Sequence, residues 1–167
     1  MTTGPRSTLS AFALRQHEGE ALWFLDALAT IKASGDATGG RCTVIEFLAP
    51  QGHGTPLHVH RREDEWFYVI EGQLMLWVGG QRIEAPAGSF AFAPRNIPHT
   101  FAVTSPTARF LLGAEPGGFD QFVRSLSVPG QARTLPPTTI QPPAPEQLTA
   151  AAARHGIEIL GPPGIPA

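Results

Sequence analysis

The chain has 167 residues, of which 42% are hydrophobic and 16% charged, so it can bury a core and does not have the composition of a disordered chain. Its formal net charge is −2, from 12 basic and 14 acidic residues. With no basic cluster beyond Arg61-Arg62, this excludes the broad positive field that holds a polyanion, so no nucleic-acid partner is expected. A single cysteine, Cys42, rules out an internal disulfide and fits a reducing compartment; its expected place is a buried strand position.

Residues 1–10 are polar and carry no apolar leader core, and no run of the chain is long enough to span a bilayer. No membrane partner is expected, and the cytoplasm is the expected location. Residues 21–31 (ALWFLDALATI) are long enough for a helix, but Trp23, Phe24, Thr30 and Ile31 suit a strand, and strand is the expectation. From residue 41 onward, short apolar runs alternate with proline and glycine. Strands are expected over 42–48, 57–60, 65–70, 73–78, 82–85, 89–93, 99–103 and 109–113, with tight turns at Glu71-Gly72 and Gly79-Gly80. About eight short strands at this spacing predict a closed all-β domain. Residues 118–126 place Phe119, Phe122, Val123 and Leu126 at helical spacing. A proline-rich linker follows over 134–143, then a second helix over 145–155, started by Pro145 and Glu146 and stopped by Gly156. A last strand is expected over 157–160.

The chemistry concentrates between Gly52 and Val103. His58 and His60 lie two apart on one strand, so both imidazoles face the same way and can chelate one ion. Glu65 opens the next strand and can add a carboxylate oxygen. Farther on, Gly88 and Pro94 precede His99, which opens a strand of its own. An antiparallel barrel would bring that strand beside the first and make His99 a fourth ligand. Three imidazoles and a carboxylate suit one divalent transition metal per chain: iron, manganese, cobalt, nickel, copper or zinc. No thiolate lies nearby, so a closed structural zinc site is not expected.

These spacings resemble the two cupin motifs: a glycine, HxH, then Glu and Gly; and a second glycine, then Pro and His. The first motif matches at Gly52, His58, His60, Glu65 and Gly72. The second matches at Gly88, Pro94 and His99, and departs at Asn96, where glycine is usual, and at Val103, where asparagine is common. Asparagine tolerates left-handed backbone, so the first departure is mild. The family pattern selects Glu65 over Glu63 and Asp64, which are expected in solvent. The resemblance implies a double-stranded β-helix (jelly-roll) barrel over 40–115. An N-terminal arm over 1–39 would pack on it, and a helical, proline-rich extension over 116–167 would follow.

The segments ALWFLDALATIKASGDATGG and RHGIEILGPP also resemble single-domain, quercetin 2,3-dioxygenase-like cupins. What that implies is a metal-dependent dioxygenase acting on a flavonol-like aromatic substrate with O2. The substrate 3-hydroxyl would bind the metal, Glu65 would act as base as well as ligand, dioxygen would add across the ring and carbon monoxide would leave. A homodimer is implied as well. The ten phenylalanines extend this reading. Phe67 and Phe101 share faces with Glu65 and His99, Phe90 and Phe92 share one face of their strand, and Phe110 joins them. Together they predict an apolar substrate cavity. Two other readings stay open: a non-oxidative cupin isomerase or cyclase of secondary metabolism, and a non-catalytic small-molecule-binding cupin. Outside this set, His53 is expected exposed in its loop or in a supporting role, His17 and His155 structural or exposed, and Arg61 and Arg62 turned to solvent or a partner.

Overall fold

The computed structural model of the protein describes residues 9–166, so the leader reading of residues 1–10 falls mostly outside the described residues. Twelve strands and two helices follow one another as β1 (Glu20–Phe24), β2 (Ala27–Ala33), β3 (Thr43–Pro50), β4 (Pro56–His60), β5 (Asp64–Glu71), β6 (Gln73–Val78), β7 (Gln81–Pro86), β8 (Phe90–Ala93), β9 (His99–Val103), β10 (Thr107–Glu115), α1 (Phe119–Ser125), β11 (Ser127–Pro129), α2 (Pro145–Arg154) and β12 (Ile157–Pro163). They form two antiparallel sheets. One runs β11-β1-β2-β3-β10-β5-β8 and the other β12-β4-β9-β6-β7. The chain passes repeatedly between the sheets, which is the jelly-roll arrangement expected of a cupin barrel.

Alternation writes the core. In β3, Thr43, Ile45, Phe47 and Ala49 point inward, and their neighbours are half-buried. Phe47 stacks on Phe110 of β10 at 5.4 Å between ring centres, and Phe110 meets Phe101 of β9 edge-on at 5.5 Å. Phe67 of β5 lies 5.4 Å from Phe101. Rings from both sheets therefore interlock, each contributing about 2 kcal/mol of burial. Gly72 lets the chain leave one sheet for the other: its φ is 79°, and a Cβ there would lie 2.3 Å from the Thr107 carbonyl oxygen.

The run over 21–31 is strand, as expected, but it is two strands. The hairpin β1–β2 turns at Leu25-Asp26, where Leu25 holds the left-handed region at φ 56°. No glycine marks this turn, which is why the run reads as continuous. Pairing of β2 with β3 adds the hairpin to the larger sheet. Cys42 is half-buried and precedes β3, a correction to its expected strand position. The reason is local: the Thr38 hydroxyl donates to the Cys42 carbonyl at 2.6 Å and accepts from its N–H at 3.2 Å, holding it in a turn.

The C-terminal part closes over one end of the barrel. Helix α1 is pinned by Asp120, fully buried, which accepts from the Gly35 N–H at 3.0 Å and the Thr43 hydroxyl at 2.8 Å and pairs with Arg124. Burial pushes this carboxyl up, and those donors together hold it below the usual range. Helix α2 starts at Pro145, with the Gln147 side chain accepting from the Ala144 N–H at 3.1 Å. It delivers β12 to the edge of the second sheet, antiparallel to β4, with Ile157 opposite His60 and Ile159 opposite His58. No helix of the described residues is long and apolar enough to cross a membrane.

Candidate metal centre

Three strands, the adjacent β4 and β9 of one sheet and β5 of the other, carry the four side chains singled out by spacing. His58 and His60 end β4, Glu65 lies at the start of β5, and His99 opens β9, directly opposite His58. All four are buried, and each offers one donor atom within 4.8 Å of the others. The Glu65 Oε2 is 3.1 Å from His99 Nε2, and its Oε1 is 3.8 Å from His60 Nε2.

The far side of each imidazole is tied down. His58 Nδ1 donates to the Pro56 carbonyl at 2.8 Å, and His99 Nδ1 to the Ile97 carbonyl at 2.9 Å. His60 Nδ1 faces the Glu63 carboxylate at 3.3 Å. A carbonyl or carboxylate oxygen only accepts, so Nδ1 of each ring carries a proton, and His58 and His60 keep their lone pair on Nε2; His99 Nε2 faces the Glu65 carboxylate and donates to it unless a cation stands between the two. His60 Nε2 is buried with no hydrogen-bond partner. An orphaned buried acceptor costs free energy unless something fills its lone pair, and a cation does so. This observation, with a donor set of three imidazole nitrogens and one carboxylate, fits a divalent transition metal.

Electrostatics agree with the geometry at His58 and Glu65. Burial pushes the His58 imidazole down to about 3, with His99 and His60 adding to it against the pull of Glu65. Burial pushes the Glu65 carboxyl up, but the charges of His60, His99 and His58 and the His99 hydrogen bond outweigh it and hold it at about 2. His99 is lowered by burial and raised by Glu65, and the net direction is upward. The carboxylate is therefore ionised and His58 neutral across ordinary pH, the protonation states a ligand needs.

Glu63 was expected in solvent; it is 3% exposed, because it lies three residues after His60 and closes on its ring. Asp64 does reach outward, paired to Arg95 at 2.7 Å. His53 is also buried, a correction to the exposed loop position: its ring packs beside Phe47 and Phe101, and its Nδ1 bonds Asp26 of the β1–β2 turn. Asn96 takes the left-handed backbone at φ 65° that its place in the motif demands, and its N–H donates to the His60 carbonyl at 2.8 Å. Arg61 pairs with Glu158 of β12 at 2.6 Å.

The aromatic expectation needs correction. Phe90 and Phe92 lie on the outer surface, 63% and 47% exposed, and do not line a cavity. The register decides it: Ala91 faces Phe67 and Ala93 faces Glu65 across β5–β8, so the alanines point inward and Phe90 and Phe92 stay with Tyr68 and Trp66 outside. Trp66 in turn lies over Gly113, where a Cβ would fall 2.0 Å from its ring. Phe67, Phe101 and Phe110 are buried, but they fill the barrel against one another. The open space lies elsewhere. A cavity of about 50 Å³ reaches His58 and His60 between Phe24, Phe119, Phe122, Leu148 and Ile157. Its wall comes from the hairpin and the C-terminal extension. The only hint in the sequence was the helical spacing of Phe119 and Phe122.

Residues 44–112 match the family model described as a cupin domain. Over 125 residues the chain is 31% identical to quercetin 2,3-dioxygenase of Bacillus subtilis (strain 168), covering 75% of this chain. This chain is a cupin. The cupin spans 37% of the Bacillus protein's length. Among solved structures, KdgF from Halomonas sp. superposes on it with a TM-score of 0.60 at 18% identity, covering 67% of this chain and 99% of that one. Pac13, a nucleoside dehydratase, superposes with a TM-score of 0.54 at 18% identity, covering 67% and 88%. These two share the cupin's fold.

Proposed function

We propose that this cupin holds one divalent transition metal on His58, His60, Glu65 and His99 and uses it to cleave a flavonol-like aromatic substrate with dioxygen. The observation that carries the metal part is the convergence of three Nε2 atoms, each ring tethered through Nδ1, on one ionised carboxylate in a buried pocket. The likeness to a quercetin 2,3-dioxygenase over three quarters of the chain supports the substrate class. A divalent ion bound here supplies positive charge that lowers the pKa of a coordinated hydroxyl, and open positions for substrate and dioxygen.

The chain's own residues do the rest. Glu65 is kept ionised, so one of its oxygens can take the proton of the substrate hydroxyl. Glu63 keeps the His60 ring turned with Nε2 toward the site. Phe119, Phe122 and Ile157 exclude water around the reacting ring and favour an aromatic ligand over a sugar.

A non-oxidative metal-dependent reaction is the second reading, because the same barrel in Pac13 belongs to a dehydratase. Oxygen uptake separates the two. Metal-free protein is reconstituted separately with iron, manganese, cobalt, nickel, copper and zinc and given quercetin and related flavonols. Metal-dependent uptake that vanishes in His99→Ala is the expected result. Stoichiometric metal binding with no uptake for any ion would refute flavonol cleavage on this panel.

A further inference from the structure

The cavity at His58 and His60 is about 50 Å³, too small for a three-ring aromatic; pockets for ligands of that size run from about 300 Å³ upward. Beside it lies a second chamber of about 570 Å³. The two share Leu25, Pro56, Leu148 and Ile159, which stand between them. Half of the residues that wall the outer chamber are prolines, among them Pro142 and Pro143 ahead of α2, Pro145 at its start and Pro162 on β12. Proline rings are rigid, apolar and already ordered, so they pack against an aromatic face at little entropic cost.

One charged side chain lines this chamber among the described residues: Asp26, on the β1–β2 turn. Its carboxylate is anchored from within by the buried His53 ring, itself packed on Phe47 and Phe101. The Asp26 side chain remains 58% exposed. A fixed carboxylate in an apolar chamber accepts hydrogen bonds and repels anions.

Resting on the flavonol reading above, we propose that the outer chamber takes the substrate ring remote from the metal, and that Asp26 selects substrates whose remote ring carries a hydroxyl able to donate to it. The metal end then fixes the reacting group, and the prolines and Asp26 set which polyphenol is taken. Acidic aromatics of the same size are rejected.

The test is binding, in cobalt-loaded protein kept free of oxygen so that no turnover intervenes. Affinities are titrated for quercetin, hydroxylated on its remote ring, and for galangin, which has the same fused core and no remote hydroxyl. Azide binding to the cobalt, read from its visible band, reports the metal end alone. Wild type should prefer quercetin by about tenfold, the scale of a charge-assisted hydrogen bond. Asp26→Ala should remove that preference and leave galangin and azide unchanged. Thr149→Trp, at an exposed position lining only the outer chamber, should weaken both flavonols about tenfold or more and leave azide unchanged. If both flavonols bind and Asp26→Ala keeps their ratio, the proposal falls and the flavonol reading stands. If azide binds and neither flavonol does, both fall together.

Discussion

The donor cluster and the cavity wall beside it are built on different principles. His58, His60, Glu65 and His99 all stand on barrel strands, and every imidazole has its Nδ1 bonded to a carbonyl or carboxylate. The wall is assembled from the hairpin, both helices and β12; its strands join the sheets by backbone pairing, but the surface it turns to the site is apolar, from side chains such as Phe24, Phe122 and Leu148. Directional bonds hold ligand atoms to tenths of an ångström; apolar contacts hold a surface in place but tolerate exchange of shape. The barrel therefore sets the chemistry, and the extensions set what reaches it.

The sharpest way to break that division is at Asp120, the polar anchor of the wall. Asp120→Ala strands the Gly35 N–H and the Thr43 hydroxyl, leaves Arg124 with Glu20 alone, and should cost about 3 kcal/mol in urea unfolding. Because α1 also sets Phe119 against His60, at 5.6 Å between rings, substrate affinity should fall as well, while metal stoichiometry holds.

Acid tests the donor side. In metal-free protein His58 has a folded pKa of about 3 against an ordinary 6.5. The unfolded chain then binds more protons between those values, so stability falls as pH drops from 6.5 toward 3, by a few kcal/mol. Glu65, depressed to about 2, has the same sign: its contribution is present above its ordinary 4.5 and lost as pH falls toward 2. His99 is raised and has the opposite sign; its contribution is present below 6.5 and lost as pH climbs through the raised value. Unfolding of metal-free protein across pH 3–8 checks the net slope, expected to favour the neutral end. Bound metal should deepen the acid loss, because protons compete for the same nitrogens.

A smaller effect sharpens the comparison further. Glu63→Gln keeps the shape beside His60 but weakens its hold on Nδ1, so metal affinity should fall about tenfold or more by chelator competition, with the fold intact. The smallest effect belongs to neither region. Phe90→Ser, on the outer face, should change stability by less than about 0.5 kcal/mol and leave metal and flavonol binding alone.

The same contrast explains what could be read from residues alone. The HxH pair needs only the two-residue strand period to share a face, and the two-residue turn at Gly79-Gly80 needs only its glycines. Such signals are local. The burial of Glu63 and His53, by contrast, depends on partners that a strand pattern does not name: a ring three residues back, and a carboxylate on a turn 27 residues away. Phe90 and Phe92 alternate as any strand would, and only the β5–β8 register tells inside from outside. The wall is the hardest case, because the chain must first bring residues 157–163 back to β4 before Ile157 and Ile159 face the site.

The most direct measurement of the central claim is X-ray absorption on the zinc-reconstituted protein, with metal content counted beside it. One ion per chain is expected, with three imidazole nitrogens and a carboxylate oxygen in its shell, and stoichiometric binding is lost in His60→Ala. Substoichiometric metal in the wild type, or a shell with fewer than three imidazoles, would contradict it.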